Sequence, residues 1–464
     1  MSNKNAKSIE IKEVLMFDVN GGKHDLTAAA GGFSYYESIF EPFVSGIMPV
    51  IDSGTNFIST LPIQGGERVN ITVADVEENE YNFDLYVWKI YNRVFTAKIQ
   101  TYNLALISKE ALYNEGVRLT QKLEGTPDEI VKEILSQYLK TKKDIDVEPS
   151  KYKVTFFPNG KKAHAIIQSI SQKSVSNTAT SLKTTTDKTS PEAVSGLSKD
   201  AKQASGTAGY LFFENRDGFN FKSIDYYYST GNDNFKGTEE VATYTVQPNN
   251  DKPSRYTIEE YAFTNEIDLI NQMRSGTYAS HVVAYNYSTG YYEEFRYNLQ
   301  ENYKSMAHLG SQDKLGKIQE GLSINPSRVL TVLVDHETFF SEETPASNET
   351  RDNPNGNGSQ YPDYQKHWLA QSISRRYFME NQQLEIEIPG NMELSVGDKI
   401  KVMLPNMASE QAREEEQFDR ENSGTYLISA LSHNNVFLNT NTCTTRLKLI
   451  RDIYGMKDYS SNVK

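Results

Sequence analysis

The residues that most often do chemistry are spread along this chain without the spacing of a known catalytic or metal site. The single cysteine, Cys443, has no neighbouring histidine to generate a thiolate. No two histidines have metal-ligand spacing on one element, and none lies in a G-x-S-x-G or H-E-x-x-H motif. The sequence therefore predicts no catalytic residue among the histidines, which are His24, His164, His281, His308, His336, His367 and His433.

Carboxylates and glycine-rich loops give no stronger signal. Glu293 and Glu294 are adjacent on a predicted strand, so they point to opposite faces and do not form an acid and base pair. The loop "DNPNGNG" at residues 352–358 has oxygen donors but lacks the periodicity and closing glutamate of a calcium loop. The strings "SGTNF" and "GGK" lack the lysine context of a phosphate-binding loop. We expect no metal, no cofactor and no enzymatic activity.

Net charge and composition limit the partners and the compartment. A formal net charge of −13 argues against a protein that grips nucleic acid through its phosphates, although DNA passing without binding remains compatible. One cysteine excludes an intrachain disulfide framework. The N-terminus lacks a signal-peptide pattern, and no run approaches the ~20 apolar residues of a membrane span. We expect folding in a cytoplasm and no membrane insertion.

Most of the chain has the pattern of β-strands. Its 464 residues are enough for roughly three or four domains, and 29 tyrosines, 21 phenylalanines and 28 glycines suit half-buried strands and turns. Successive strand patterns between Ile9 and Ile107 predict an antiparallel sandwich or barrel in residues 1–107.

Helical patterns are concentrated in residues 108–171, which we assign to a helical or α+β segment. The spacing of apolar residues predicts one helix over 108–123, ending by Gly125. A second helix follows, with Thr126 as its cap and Glu129 completing a capping box.

The remaining chain divides into three segments. Residues 172–208 are rich in Ser, Thr, Ala and Lys, so we interpret them as a flexible low-complexity insertion. Residues 209–369 are predicted as a central β region with a long surface loop at 342–365. Residues 370–464 have the strand pattern of a small barrel, with a short helix where this segment begins.

A weak internal repeat relates the first and last segments. Gly65 and Gly66 lead into the alternating strand "ERVNITVAD", and Gly397 and Asp398 lead into "KIKVMLPN". A turn followed by an alternating strand is common in β proteins, so these strings alone suggest a duplication without establishing it.

The densest aromatic stretch is "YLFFENRDGFNFKSID", residues 210–225. Its two aromatic runs flank Asp217 and Gly218, a pair that suits a two-residue type I′ turn because both central residues need a positive φ. We predict a β-hairpin with one apolar face and one solvated face, the latter including Lys222. Its signature residues are Tyr210, Phe212, Asp217, Gly218, Phe219 and Phe221.

Three strings, in matching order, resemble the central hub protein of contractile phage baseplates. They are "SGTAGYLFFENRDGFNFKSID", "LEIEIPGNMELSVGDKIKVMLP", and "SGTYLISALSHN" with the following "TRLKLIRD". The resemblance implies a ring of three copies, each with two β-barrel domains similar to the tail tube protein. A trimer of duplicated domains would match both a hexameric tube and a trimeric spike.

The resemblance also implies a fold class and partners. The expected fold is mainly β (α+β) and multidomain, with two tail-tube-like antiparallel β-barrel or sandwich domains plus an α/β hub region with a small helical segment. Expected partners are further copies in a homotrimer, the tail tube protein, the spike protein, baseplate wedge proteins and, as a further candidate, the tape measure protein. DNA would pass an acidic channel without specific binding, in a virion tail baseplate assembled in the host cytoplasm.

Two other classes of tail protein stay open at this point. A virion-associated peptidoglycan hydrolase needs an acid pair or a metal site in a cleft, and the sequence shows neither. A receptor-binding adhesin is also rich in Tyr and Asn and trimeric, but more often has repeats or fibre-like segments.

Overall fold

The computed structural model describes residues 7–18, 20–53, 57, 63–96, 99–150, 153–176, 208–230, 237–246, 254–286, 292–312, 314–334, 363–407, 417–438 and 441–456. Strands outweigh helices, which confirms the mainly β fold class. No helix among the described residues is long and apolar enough to cross a membrane. The predicted insertion at 172–208 and loop at 342–365 lie largely outside the described residues.

The N-terminal part forms seven strands. They are β1 Glu10–Phe17, β2 Lys23–Asp25, β3 Gly32–Ser38, β4 Ser45–Ser53, β5 Arg68–Ala74, β6 Glu80–Thr96 and β7 Ile99–Ile107. Val69, Ile71 and Val73 of β5 are fully buried, whereas the residues between them are partly exposed. One face of the sheet therefore contacts a core. We call β1–β7 the N-terminal strand set.

Residues 108–230 contain short helices and two small sheets. The elements are α1 Lys109–Gly116, β8 Leu123–Gly125, α2 Pro127–Glu133 continued by a π-helix Ile134–Tyr138, β9 Asp144–Val147, β10 Val154–Phe156, α3 Ala163–Ser171, β11 Tyr210–Asn215, β12 Gly218–Ser223 and α4 Ile224–Tyr228. Thr126 and Glu129 form the predicted capping box of α2. The helix predicted over 108–123 is too long, because α1 ends at Gly116 and Leu123 pairs with β10. Leu123 is buried there, so strand pairing overrides its helical spacing.

Residues 237–334 alternate strands with short helices. The elements are β13 Glu240–Val246, β14 Thr257–Ile258, β15 Glu260–Asn265, α5 Leu269–Ser275, β16 Ala279–Asn286, β17 Tyr292–Asn298, α6 Leu299–Asn302, a 3-10 turn Tyr303–Ser305, α7 Lys317–Leu322 and β18 Arg328–Val334. Strand β16 lies between β17 and β18 in a separate three-stranded sheet.

The last part is one helix followed by four strands, as predicted. The elements are α8 Asp363–Phe378, β19 Gln382–Pro389, β20 Lys399–Met403, β21 Gly424–Val436 and β22 Thr442–Arg451. Strands β13 and β15, which we placed in the central region 209–369, pair with β20 and β19. The domain boundary at residue 370 stays a prediction, although strands from both sides of that boundary pair in one sheet. We call β13–β15 and β19–β22 the C-terminal strand set.

One continuous sheet joins the two strand sets. Its order is β14-β13-β20-β21-β3-β4-β7-β6-β5-β1-β2, with β22, β19 and β15 continuing from the other edge of β21. The link is an antiparallel ladder between β3 and β21, from Ser38 opposite Ala430 to Gly32 opposite Val436. We call this ladder the seam. A single apolar core contains buried residues from both sets, so they pack as one body.

The aromatic hairpin, β11 and β12, has its turn one residue earlier than predicted. Pairing ends with Asn215 opposite Gly218, so the loop residues are Arg216 and Asp217. Neither loop residue has a positive φ, which excludes a type I′ turn. The side-chain oxygen of Asn215 accepts hydrogen bonds from the N–H groups of Asp217 and Gly218, each at 3.1 Å, and stabilises the earlier turn.

The hairpin has no solvated face, contrary to the prediction. Phe219 and Phe221 face a core built with α2 and α3, while Leu211 and Phe213 face the core of the two strand sets. Lys222 is buried, and its ammonium pairs with Asp146 on β9. A lysine is tolerated in this position because the ion pair offsets the loss of water.

We expect Gly218→Val to lower the free energy of unfolding by roughly 3 kcal/mol. Gly218 has a φ of 145°, and a Cβ added there would lie 2.2 Å from the carbonyl oxygen of Asp144 on the neighbouring β9. Gly116→Ala is the matched control, because nothing lies within 4 Å of its added Cβ. Urea unfolding measures both variants, and wild-type stability of Gly218→Val would contradict the placement against β9.

Candidate functional site

A buried carboxylate, Glu37 on β3, connects three parts of the chain. It accepts hydrogen bonds from the N–H of Arg216 in the hairpin loop, at 2.6 Å, and from the N–H of Val396 before β20, at 2.9 Å. The hydroxyl of Tyr35 donates a third bond at 3.0 Å. Glu37 is 3% exposed, so these bonds form away from water and fix the hairpin against both strand sets.

A second buried carboxylate, Glu214 on β11, holds the other side of the hairpin. It accepts a hydrogen bond from the N–H of Val44, between β3 and β4, at 3.1 Å, and pairs with the ammonium of Lys143. That ammonium also lies 3.4 Å from the carboxylate of Glu110 on α1. The hairpin is therefore bound both to the N-terminal strand set and to the helical segment.

The predicted signature aromatics pack against one another. The ring centroids of Tyr210 and Phe221 are 4.7 Å apart, and Phe212 stacks on Phe219 at 5.9 Å. The fifth signature side chain, Asp217, is exposed in the loop. This arrangement provides rigid packing and presents no group placed for catalysis.

The two predicted turn pairs have different surroundings. Gly65 and Gly66 are exposed, with φ values of 101° and 93°. Gly397 has a φ of 92° and lies against the hairpin region, where an added Cβ would be 3.0 Å from the ring of Tyr227. Burial raises the pKa of Asp398 to about 6. The structure thus places Gly397 and Asp398 at the buried contact between the hairpin and the two strand sets, which we call the junction. Gly65 and Gly66 do not lie there.

A buried charge network lies beside α4, the helix that follows the hairpin. Arg375 on α8 donates to the carboxylates of Asp225, at 3.0 Å, and Asp452, at 3.2 Å, and all three side chains are at most 1% exposed. The ring of His308 lies 2.6 Å from Asp452 and 2.9 Å from the carbonyl oxygen of Tyr303. Each ring nitrogen of His308 therefore lies within hydrogen-bond distance of an oxygen acceptor.

The network ties together four distant segments of the chain. Asp225 follows the hairpin, His308 lies after α6, Arg375 is on α8 and Asp452 directly follows β22. Burial raises the pKa of Asp452, but His308 and Arg375 outweigh burial and hold it at about 2. The carboxylate is therefore charged throughout the physiological range.

Histidine and cysteine side chains serve the fold here. Burial raises the pKa of Cys443 to about 12, so its thiol stays protonated. Burial lowers the pKa of His433 to about 3, and its ring lies 2.9 Å from the hydroxyl of Thr445. Other pairs are His24 with Asp18 at 2.9 Å and His281 with Glu294 at 3.3 Å. His336, the side chain of His367 and residues 352–358 lie outside the described residues.

Among the described residues, one group of three carboxylates is close enough to hold a cation. It consists of Asp75, Glu77 and Glu393. Arg255 already lies there, with its guanidinium 3.2 Å from Glu77 and 2.9 Å from Glu393. The guanidinium of Arg255 therefore offsets part of the negative charge of these carboxylates. The expectation that no metal binds stays a prediction.

Sequence reasoning missed the buried charges. Glu37 did carry a signal, since it follows Tyr35 by two positions on a strand and must share its buried face. Arg375 and Asp452 carry none, because an arginine on a helix and an aspartate after a strand are ordinary surface residues.

Comparison with known proteins identifies the fold. No protein-family model and no curated protein matches the chain. The structure is similar to the tail protein from Neisseria meningitidis MC58, with a TM-score of 0.52 and 12% identity, covering 97% of this chain and 99% of that one. The prophage MuSo2 43 kDa tail protein from Shewanella oneidensis is more distant, with a TM-score of 0.49 and 8% identity, covering 95% of this chain and 100% of that one. Prophage tail protein gp18 from Listeria monocytogenes EGD-e has a TM-score of 0.43 and 10% identity, covering 94% of each chain. The chain has the fold of a tail protein, which confirms the resemblance at the level of fold.

We expect Arg375→Met to lower the free energy of unfolding by roughly 3 to 5 kcal/mol, because two carboxylates would stay buried without their shared cation. Arg375→Lys should recover little, since a single ammonium does not reproduce the guanidinium fork. The control is Arg446→Met, which removes an exposed pair with Glu387 and should cost about 1 kcal/mol or less. Equal losses in the two methionine variants, measured by urea unfolding, would exclude a structural role for the network.

Glu37→Gln tests the pH dependence of the junction. Burial raises the pKa of Glu37 from 4.5 to about 7, so the folded protein binds this proton more tightly than the unfolded chain. The carboxyl therefore contributes stability that is fully present below about pH 4.5 and is lost as the pH rises through 7.

The stability of the wild type relative to Glu37→Gln should fall by about 2 kcal/mol between pH ~5 and pH ~8. Urea unfolding of both proteins at both pH values isolates this group, because the other titrations cancel in the difference. A difference that does not change with pH would mean that burial leaves this carboxyl with its ordinary pKa.

Proposed function

We propose that this chain is the central hub of a contractile-tail baseplate, a structural trimer that joins a hexameric tail tube to a trimeric spike. The observation that carries the proposal is the seam, which places two strand sets side by side in one sheet. Three copies would present six strand sets, matching a sixfold tube at one end and a threefold spike at the other.

The fold likeness supports this proposal. The similarity to the Neisseria tail protein extends over 97% of the chain, so it includes both strand sets and the region between them. The resemblance in the sequence falls on the hairpin and on the strands of the C-terminal set, which Glu37 brings into contact.

The surface chemistry is suited to a channel that DNA passes without binding. Outward residues on β5 and on residues 80–84 of β6 are polar, with Asn70, Asn82 and Asp84 among them. On the other side of the seam, a groove of about 600 Å³ is lined in part by Glu260, Glu385 and Glu387. Its charges are mixed, since Arg446 and Lys448 pair with two of these carboxylates, and the excess of acid is a property of the chain as a whole.

The proposal includes partners and a location. The tube protein and the spike would contact opposite ends of the trimer, baseplate wedge proteins its periphery, and the tape measure protein its channel. The protein would act without catalysis, in the virion tail baseplate, after assembly in the host cytoplasm. A peptidoglycan hydrolase or a receptor-binding adhesin is the alternative to exclude.

We expect purified protein to form a ring of three copies that shows pseudo-sixfold symmetry at one end by electron microscopy. Tube protein should bind that end, and spike protein the other. A protein that stays monomeric at micromolar concentration with tube protein and spike present would contradict the hub. Activity in a cell-wall turbidity assay, or binding to host cells, would favour one of the alternatives.

We also expect the trimer to bind duplex DNA poorly, even at ~50 mM salt where phosphate contacts are strongest. Each copy carries −13, so three copies carry −39. Filter binding or a mobility shift at low salt measures this. Tight binding under these conditions would be incompatible with a channel that repels DNA.

A further inference from the structure

The groove of about 600 Å³ crosses the outward face of five neighbouring strands, β15, β19, β22, β21 and β3. Its lining includes two rows of residues, and each row takes one residue from each strand in this order. The first row is Glu260, Glu387, Arg446, Ser432 and Tyr36, and the second is Ala262, Glu385, Lys448, Ala430 and Ser38. All ten lie at least six positions from any residue outside the described ranges, so the sheet itself forms the groove.

The charge of the groove changes from one side to the other. Strands β15 and β19 supply the carboxylates of Glu260, Glu385 and Glu387, and β22 supplies the cations of Arg446 and Lys448. Arg446 pairs with Glu387 at 2.7 Å, and Lys448 pairs with Glu385 at 3.1 Å. These pairs leave one carboxylate in excess, on the β15 side.

That carboxylate, Glu260, is exposed and has no cation among the described residues. It lies directly opposite Glu387 on the neighbouring strand, where like charges destabilise a sheet. The ammonium of Lys7 binds the adjacent Glu259 instead, at 2.7 Å. Proteins tolerate such locally unfavourable residues mainly at functional sites. We therefore expect a partner to supply the cation that Glu260 lacks.

The opposite side of the groove suits uncharged groups. The outward residues of β21 and β3 in both rows are uncharged. Ala430, Ser432 and Ser38 are small, so a partner chain can approach the sheet closely, and Tyr36 adds an aromatic ring with a polar end.

The dimensions of the groove match one extended chain. Five strands are separated by four spacings of ~4.8 Å, so the groove is about 19 Å long across them. An extended chain covers this distance in about six residues, at ~3.3 Å each. The volume of about 600 Å³ is also typical of pockets that enclose a ligand.

We propose that this groove binds an extended segment of another protein. A lysine or arginine of that segment lies at Glu260, and its uncharged residues lie over Ala430 and Ser38. Complementary charge identifies the segment, because the fold leaves one carboxylate of the groove without a cation. The contact goes beyond the hub function proposed above and does not require three copies.

A fluorescein-labelled peptide, Lys-Arg-Ala-Ser-Ala-Ser, tests the groove in the full-length protein. It is basic at one end and uncharged at the other, and fluorescence anisotropy at ~50 mM salt measures its binding. Glu260→Lys should raise the dissociation constant at least about tenfold. This variant should stay folded, because the new ammonium lies opposite the carboxylate of Glu387. The same peptide with Glu-Asp in place of Lys-Arg should not bind.

Glu320→Lys on α7 is the matched control, because it makes the same change in net charge outside the groove. It should bind the basic peptide like the wild type. Equal loss of binding in the two lysine variants would mean attraction by net charge alone and would overturn the proposal. A wild type that does not bind the basic peptide would also overturn it.

Glu260→Gln separates binding from folding. It should raise the urea midpoint of unfolding, because it removes the like charge opposite Glu387, and it should also weaken the peptide. Glu320→Gln should do neither. A lower midpoint for Glu260→Gln would show that this carboxylate stabilises the fold, which contradicts its assignment to a partner.

Sedimentation distinguishes this contact from the hub. A wild type that stays monomeric but binds the peptide through Glu260 contradicts the hub and leaves the groove proposal standing. A wild type that forms trimers but does not bind the peptide overturns the groove proposal alone. Loss of self-association in Glu260→Lys would identify a second copy as the occupant and overturn the assignment to another protein.

Discussion

The backbone ladder between β3 and β21 is the constraint on which the rest of the structure depends. It unites strands from the two ends of the chain, so that the side chain of Asn435 donates to the carbonyl of Phe33 across 402 residues. The cost of closing a loop grows slowly with its length, and seven residue pairs in a shared core outweigh it. Once the seam is formed, the intervening chain must fold around it.

Buried charges determine how that intervening chain is positioned. Glu37 receives hydrogen bonds from the hairpin loop and from the C-terminal strand set, and Arg375 binds two carboxylates from segments on either side of it in sequence. An apolar contact tolerates small shifts, whereas a buried carboxylate with three donors has one satisfactory arrangement. Packing provides most of the stability, and these networks select one relative placement of the parts.

Much of the fold was predictable because strand alternation and helix capping are local. The strands around Val69 and Ile71 and the start of α2 at Thr126 followed from neighbouring residues alone. Prediction failed where the deciding partner is distant. Lys222 was assigned to solvent because Asp146 lies on another strand, and the pairing of β13 with β20 has no trace in either string. Within the candidate site, the sequence predicted the aromatic residues of the hairpin but not the buried charged residues that bind it, such as Glu37.

The position of β11 between two cores has a consequence for how the protein unfolds. Alternate residues of this strand fill the core of the strand sets and the core of the helical segment, with Phe213 in one and Phe212 in the other. Neither core is able to melt without uncovering one face of β11 and losing the packing of the other. We therefore expect the two regions to unfold as one cooperative unit.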